Sequence, residues 1–239
     1  MPVMPALHCV SFSAQPKTHL PSSQTFPSSA PQKKASALSQ MPIAQPPNKE
    51  FHVAPLELNH ENTSRFIHKL MAHAEALLNT SQNSPRQEKP TIYISLHCLG
   101  GSNAEKQRLL QIMETIKEKG ITLEIYADTA QSAGAEILAN GSPGHRFISP
   151  RGSVLIHESR YNLPRELSPK FAFDFLQIGN YLNHFNQLTC QNLVEKSQGK
   201  LSERLLQEKI SRGADWHMTP EEAVTYGIAD AVKPLPLGQ

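Results

Sequence analysis

The chain has 239 residues, enough for one domain with a proper core and a tail. A net charge of +2 argues against a nucleic-acid partner and against a strongly acidic one. The three cysteines, Cys9, Cys98 and Cys190, form no CxxC pair, which speaks against a disulfide framework or a zinc site and for a reducing, cytoplasmic compartment. No run of about 18 apolar residues predicts a membrane span.

Residues 1–49 hold nine of the 19 prolines, eight serines and no acidic residue. Their scattered apolar residues cannot bury enough surface to offset the entropy of ordering, so this segment reads as a disordered extension. Its prolines and its lack of arginine oppose a targeting signal. The folded domain is expected over residues 50–235. Phe51–Leu58 reads as a first strand. Thr63 or Ser64 can cap a helix running to about Leu78, with Phe66, Leu70, Ala74 and Leu77 on one face. After a polar linker at Pro85–Pro90, Thr91–Leu96 is a short β-branched and aromatic run, expected as a buried strand. A helix is expected from about Asn103 to Lys119, with Leu109, Ile112, Met113 and Ile116 inward and Gly120 ending it. Ile121–Tyr126 is the next strand, and Ser132–Asn140 a helix.

Phe147–Ile148 and Ser153–Ile156 read as two further strands. A long helix follows over about Ser168–Lys196, in which Phe171, Phe175, Ile178, Leu182, Phe185, Thr189 and Leu193 recur at three and four. Ordinary core packing is the favoured role of that stripe. A shorter helix spans Ser202–Ile210. The last helix has an explicit start: Thr219 as N-cap, Pro220 at the first position and Glu222 three after the cap. Strand, crossover helix and strand in alternation imply parallel pairing and an α/β fold.

Three features lie at the carboxyl ends of expected strands, where open α/β sheets place their sites. They are Leu99-Gly100-Gly101, Ala130-Gln131-Ser132-Ala133-Gly134-Ala135 and Val154-Leu155-Ile156-His157. Together they suit acyl transfer. A serine hydroxyl is a poor nucleophile until a base takes its proton, and His157 would be that base. A carboxylate must then hold the imidazole in the right tautomer. Ser132 opens a helix, so nearby N–H groups are unpaired and favour negative charge. The Ala133 N–H is a natural oxyanion donor, and the glycine pair can bring a second N–H close. Taken singly, each feature has a plainer reading: a turn, an N-cap, a structural histidine.

Read together, these segments resemble the Clp protease proteolytic subunit, within the crotonase-like superfamily. Leu99-Gly100-Gly101 matches the family's Pro-Gly-Gly turn, and Ala130–Ala135 its Ala-Ala-Ser-Met-Gly-Ala. Gly144-His145-Arg146-Phe147 resembles Gly-Lys-Arg-Phe, and Val154–His157 resembles Val-Met-Ile-His, 25 residues after the serine. Pro220-Glu221-Glu222-Ala223-Val224-Thr225-Tyr226-Gly227 follows the family's last helix, and counting back from it puts the family's catalytic aspartate on Asp215. The resemblance covers roughly Phe51–Val232. It implies a fold of stacked β-α-β units with a protruding helical handle. It implies a serine endopeptidase acting on peptides or unfolded proteins through an acyl-enzyme. Ser132 would be nucleophile, His157 base and Asp215 orienter, with the N–H groups of Gly101 and Ala133 binding the oxyanion. It also implies no metal or organic cofactor, a homo-oligomeric ring, usually of seven subunits, and an AAA+ unfoldase as partner.

The sequence departs from the family pattern in places. Glu158–Leu167 lacks the glycines of the family's substrate-binding strand and contains Pro164. No match to the amino-terminal pore segment is visible. One docking aromatic falls on Tyr93, while its neighbour falls on Ser95. Asp128 stands where the family has glycine. His97, His217 and Cys98 are read as structural or surface groups, and Trp216 as an anchor for the last helix. Two other functions compete: a catalytically inactive ring subunit with a structural or regulatory role, and an acyl-CoA enzyme of the crotonase group. The in-register triad opposes the first, and the absence of an evident basic CoA patch opposes the second.

Overall fold

The computed structural model describes residues 50–81, 89–161 and 172–236. The extension 1–49, most of the Pro85–Pro90 linker, and Phe171 with the start of the long helix lie outside these. In chain order the elements are β1 (Phe51–Val53), α1 (His60–Ser81), β2 (Thr91–Cys98), α2 (Asn103–Glu118), β3 (Thr122–Gln131), α3 (Ala133–Ala139), β4 (Arg146–Ile156), α4 (Ala172–Lys196), α5 (Glu203–Ile210), β5 (Trp216–Met218), α6 (Pro220–Thr225) and β6 (Ala231–Val232).

A six-stranded sheet runs in the order β1-β2-β3-β4-β5, with β6 also beside β4. β1 to β4 pair in parallel, β5 lies antiparallel to β4, and β6 parallel to it. This is the expected α/β architecture. Its parallel strands are covered by helices, so β2 and β3 carry buried Ile92, Ile94, Leu96, Leu123 and Ile125. From α2 the core receives Leu109, Met113 and Ile116, from α1 Phe66, Leu70 and Ala74, and from α4 Leu193.

Several boundaries differ from the sequence reading. The first strand stops at Val53, and Leu58 makes only an isolated parallel bridge to Gly101. α1 begins at His60, and its cap is Asn59, whose Oδ1 accepts from the Asn62 N–H at 2.9 Å. Thr63, expected as a cap, is buried inside the helix and bonds back to Asn59 through its own N–H. The two strands expected after residue 146 are one. β4 passes through Pro150 and Gly152 because β3 carries a matching irregularity between Ala127 and Thr129. The last helix starts as expected, with a complete capping box between Thr219 and Glu222 behind Pro220.

The stripe on α4 does two jobs. Phe185, Thr189 and Leu193 are buried, but Phe175 is 60% exposed, and Phe173, Leu176 and Tyr181 are also exposed. Core packing therefore accounts for the second half of the helix only. Periodicity marks an apolar face and is blind to whether this chain or another covers it.

Arg146 locks the end of the fold. It is buried, and its guanidinium donates to Asp230 through Nε at 2.9 Å and Nη2 at 2.6 Å. Its Nη1 reaches the carbonyls of Lys196 at 2.8 Å and Gly227 at 3.0 Å, tying α4 and α6 to β4. Burial works to raise the Asp230 pKa, but the Arg146 hydrogen bonds and charge outweigh it and hold the carboxyl below its usual value. A depressed pKa contributes stability that is present above the unfolded value and is lost as pH falls through the folded one. Asp230→Asn is expected to cost about 3 kcal/mol at pH 7, because it leaves a buried guanidinium half-paired. The variant should also show a flatter loss of stability below about pH 4 than the parent. Denaturant unfolding at neutral and acid pH checks both; an unchanged neutral midpoint would refute the account.

Candidate active site

β3 runs into α3 with Ser132 alone between them. At that residue the backbone takes φ 54° and ψ −117°, a left-handed conformation rare for a residue with a side chain. Such a sharp strand-to-helix turn lifts the hydroxyl clear of both elements. The Ser132 N–H donates to Leu155 O at 2.7 Å, which fixes the turn to the end of β4. Gly100 is packed on it: a Cβ there would lie 2.8 Å from the Ser132 Cβ, so only glycine leaves the serine in place.

Register places the histidine. β3 and β4 pair Ala130 with Val154 and Gln131 with Leu155. Continuing that register brings Ser132 beside Ile156, one residue before His157. Both Ser132 and His157 line one cleft of about 680 Å³, together with Leu99, Gly101 and Ala133. The bridge to Leu58 uses the Gly100 carbonyl and the Ser102 N–H, and leaves the Gly101 N–H out of it. Ala133 is the first residue of α3, so its N–H has no partner within the helix. Four of the five expected site residues thus meet in one place.

Asp215 is the exception. On the far side of β4, β5 pairs Leu155 with His217 and Ile156 with Trp216. His157 and Asp215 are the next residues along the two chains, just beyond the last pair of that ladder. The Asp215 carboxylate, however, is paired with Arg160 and is 38% exposed. His157 instead has Nδ1 2.5 Å from Glu158 O. A carbonyl only accepts, so Nδ1 carries the proton and Nε2 is left with its lone pair. That is the tautomer a general base needs. It is set here by a neutral oxygen, which does not stabilise an imidazolium as a carboxylate does.

Sequence reasoning missed Arg160, whose partner Asp215 lies 55 residues away, and the Glu158 carbonyl, whose partner is the neighbouring His157. It also missed Lys106 and Glu136, both buried and both lining the cleft. A signal for each was present. Lys106 occupies the inward face of α2, three residues before Leu109. Glu136 is the one charged residue in the otherwise apolar α3, Ala133–Ala139.

The plainer readings hold for the neighbours. His97 pairs with Asp128 at 2.9 Å on the surface, and Asp128 does not line the cleft. Burial pushes the Cys98 thiol up, which makes it a poor nucleophile. Trp216 is buried edge-on against Tyr226 at 5.0 Å, anchoring α6, and His217 is exposed. Among the described residues, no group of three His, Cys, Asp or Glu is placed to hold a metal ion, and no helix is long and apolar enough to cross a membrane.

The family model for Clp protease matches residues 56–234, which takes in every residue of this cleft. That match supports a peptidase role for the chain. The chain belongs to the Clp protease family.

Proposed function

We propose that the chain is a serine endopeptidase, hydrolysing peptide bonds in peptides or unfolded proteins through an acyl-enzyme. The observation that carries this reading is the strained Ser132 turn, with a His157 whose Nε2 is free to accept, in the same cleft. Ser132 Oγ attacks the carbonyl carbon as His157 Nε2 takes its proton. The oxyanion is held by the N–H groups of Gly101 and Ala133, and collapse of the intermediate returns the proton from His157 to the leaving amine. Water then repeats the sequence on the ester and releases the carboxylic acid. Asp215 completes the triad by turning from Arg160 to His157.

The working form in this proposal is a homo-oligomeric ring. Phe173, Phe175, Leu176 and Tyr181 leave the first half of α4 apolar and uncovered, the state expected of a helix that meets a second copy. An unfoldase partner belongs to the same proposal. Tyr93, the residue matching a family docking aromatic, packs on Phe51 at 5.6 Å, in a row of rings that continues through Tyr126 to Phe147.

The inactive-subunit reading is favoured by one observation, the Arg160–Asp215 pair that leaves His157 with a neutral partner. Labelling with an alkyl fluorophosphonate decides between them. The assembled wild type should take label on Ser132, and His157→Ala should take none. Leu176→Lys should shift the particle to smaller species by light scattering. An assembled, folded wild type that takes no label is the result expected of an inactive subunit.

A further inference from the structure

Lys106 and Glu136 are buried together, with side chains about 2% exposed. Desolvating two charges costs several kcal/mol, and apolar side chains of similar volume pack as well or better, so stability does not explain the pair. Its polar partners come from α4. Lys106 Nζ lies 2.6 Å from Glu136 Oε1 and 2.9 Å from Thr189 Oγ1. The Thr189 hydroxyl is 2.8 Å from the same carboxylate oxygen, and Asn192 Nδ2 approaches the other at 3.4 Å. The carboxylate is thus well supplied with donors. An ammonium has three N–H groups, and these contacts use two.

Lys106, Glu136 and Thr189 all line the cleft that holds Ser132. Their position within it follows from the oxyanion donors. Gly101 stands just before α2, and Ala133 is the first residue of α3. A carbonyl oxygen held between those two N–H groups places its own residue at the mouth between the two helices. Lys106 comes from the first turn of α2. Glu136 comes from the first turn of α3, and side chains on a helix lean back toward its N-terminus, here toward Ser132.

We propose that Lys106, fixed by Glu136 and Thr189, forms the floor of the pocket for the side chain on the acyl side of the scissile bond, and selects a neutral side chain ending in a hydrogen-bond acceptor, the carboxamide of Gln or Asn. The proposal rests on the serine-peptidase reading. An apolar side chain would leave the third N–H without a partner, which is the arrangement that binding sites discriminate against most strongly. A carboxylate would add a second negative charge to an ammonium already neutralised by Glu136. A cationic side chain would face that ammonium directly.

The test uses the full-length assembled protein. Peptidyl phosphonates that differ only in the acyl-side residue (Gln, Asn, Glu, Lys, Leu and Met) are compared with a plain alkyl fluorophosphonate for the rate of labelling at Ser132. The Gln or Asn probe should react about 10–100-fold faster than Leu or Met. Lys106→Met alone leaves a lone buried carboxylate and is at risk of unfolding. The double variant Lys106→Met/Glu136→Leu removes both charges, and should move the preference to Leu and Met. Equal or faster labelling of the wild type by the Leu or Met probe, with the alkyl probe still reacting, overturns the specificity and leaves the peptidase standing. A double variant that is folded by circular dichroism and keeps the wild-type ranking also overturns it. No labelling by any probe, the alkyl one included, overturns both.

Discussion

Ser132→Ala is expected to lower kcat by about 10⁶-fold while the protein folds and assembles as before. The side chain sits half-buried at the cleft surface and fills no core volume, so truncation to alanine removes the nucleophile and little else. What remains is the oxyanion donors and substrate binding, which alone give a residual acceleration. Peptide hydrolysis by purified wild type and variant measures the loss, and a residual rate within about 100-fold of wild type would remove Ser132 from the mechanism. A companion variant tests the turn itself. At φ 54° a side chain costs about 1–3 kcal/mol, and alanine keeps that strain. Ser132→Gly relieves it, less the extra entropy glycine loses on folding. The glycine variant should therefore be equally inactive yet about 1 kcal/mol more stable than the alanine one by denaturant unfolding. An alanine variant as stable as the glycine variant would mean the turn holds no strain.

The parts of this site that sequence shows are those in which chemistry and local structure coincide. A strand, a serine and an apolar helix in direct succession specify the turn at Ser132, and the glycine pair that must lie against it is itself a local pattern. The Ser132 and His157 positions are then joined by β3–β4 pairing, which is long-range; beforehand they were linked only as two strand ends and by the resemblance. Other features had no local mark to distinguish them. Asn59, Thr63 and Ser64 are all good caps in one stretch, and the choice of Asn59 is made by the burial of Thr63 against the core. Pro150 and Gly152 look like strand breakers, and β4 continues through them because β3 is irregular at the same level. Lys106 and Glu136 lie 30 residues apart, and Arg160 and Asp215 lie 55 apart. Lys106 and Glu136 are marked by their apolar surroundings and Arg160 and Asp215 are not, but in neither pair does the sequence name the partner.

The Arg160–Asp215 pair sets the second large expectation. Asp215→Asn should lower kcat by about 10⁴-fold with KM little changed, if the carboxylate turns to His157 Nδ1 in the working enzyme. The two residues follow directly on the last pair of the β4–β5 ladder, Ile156 with Trp216, which keeps their backbones near each other. What opposes the turn is one exposed ion pair, and exposed pairs hold by about 0–1 kcal/mol. One kcal/mol corresponds to about fivefold, so Arg160→Gln should raise kcat by about fivefold at most. On that expectation, activity and inactivity in this chain are separated by one side-chain rotation. The rival is that Glu158 O remains the partner of Nδ1 throughout. A carbonyl keeps the tautomer but leaves the imidazolium without a counter-charge, so that enzyme would be slow and indifferent to both changes. Steady-state kinetics on the two single variants separates the cases. A 10⁴-fold loss in one with a modest gain in the other makes Arg160 a restraint on the triad. Changes of less than about tenfold in Asp215→Asn would assign the orienting role to the Glu158 carbonyl, and Asp215 to the surface.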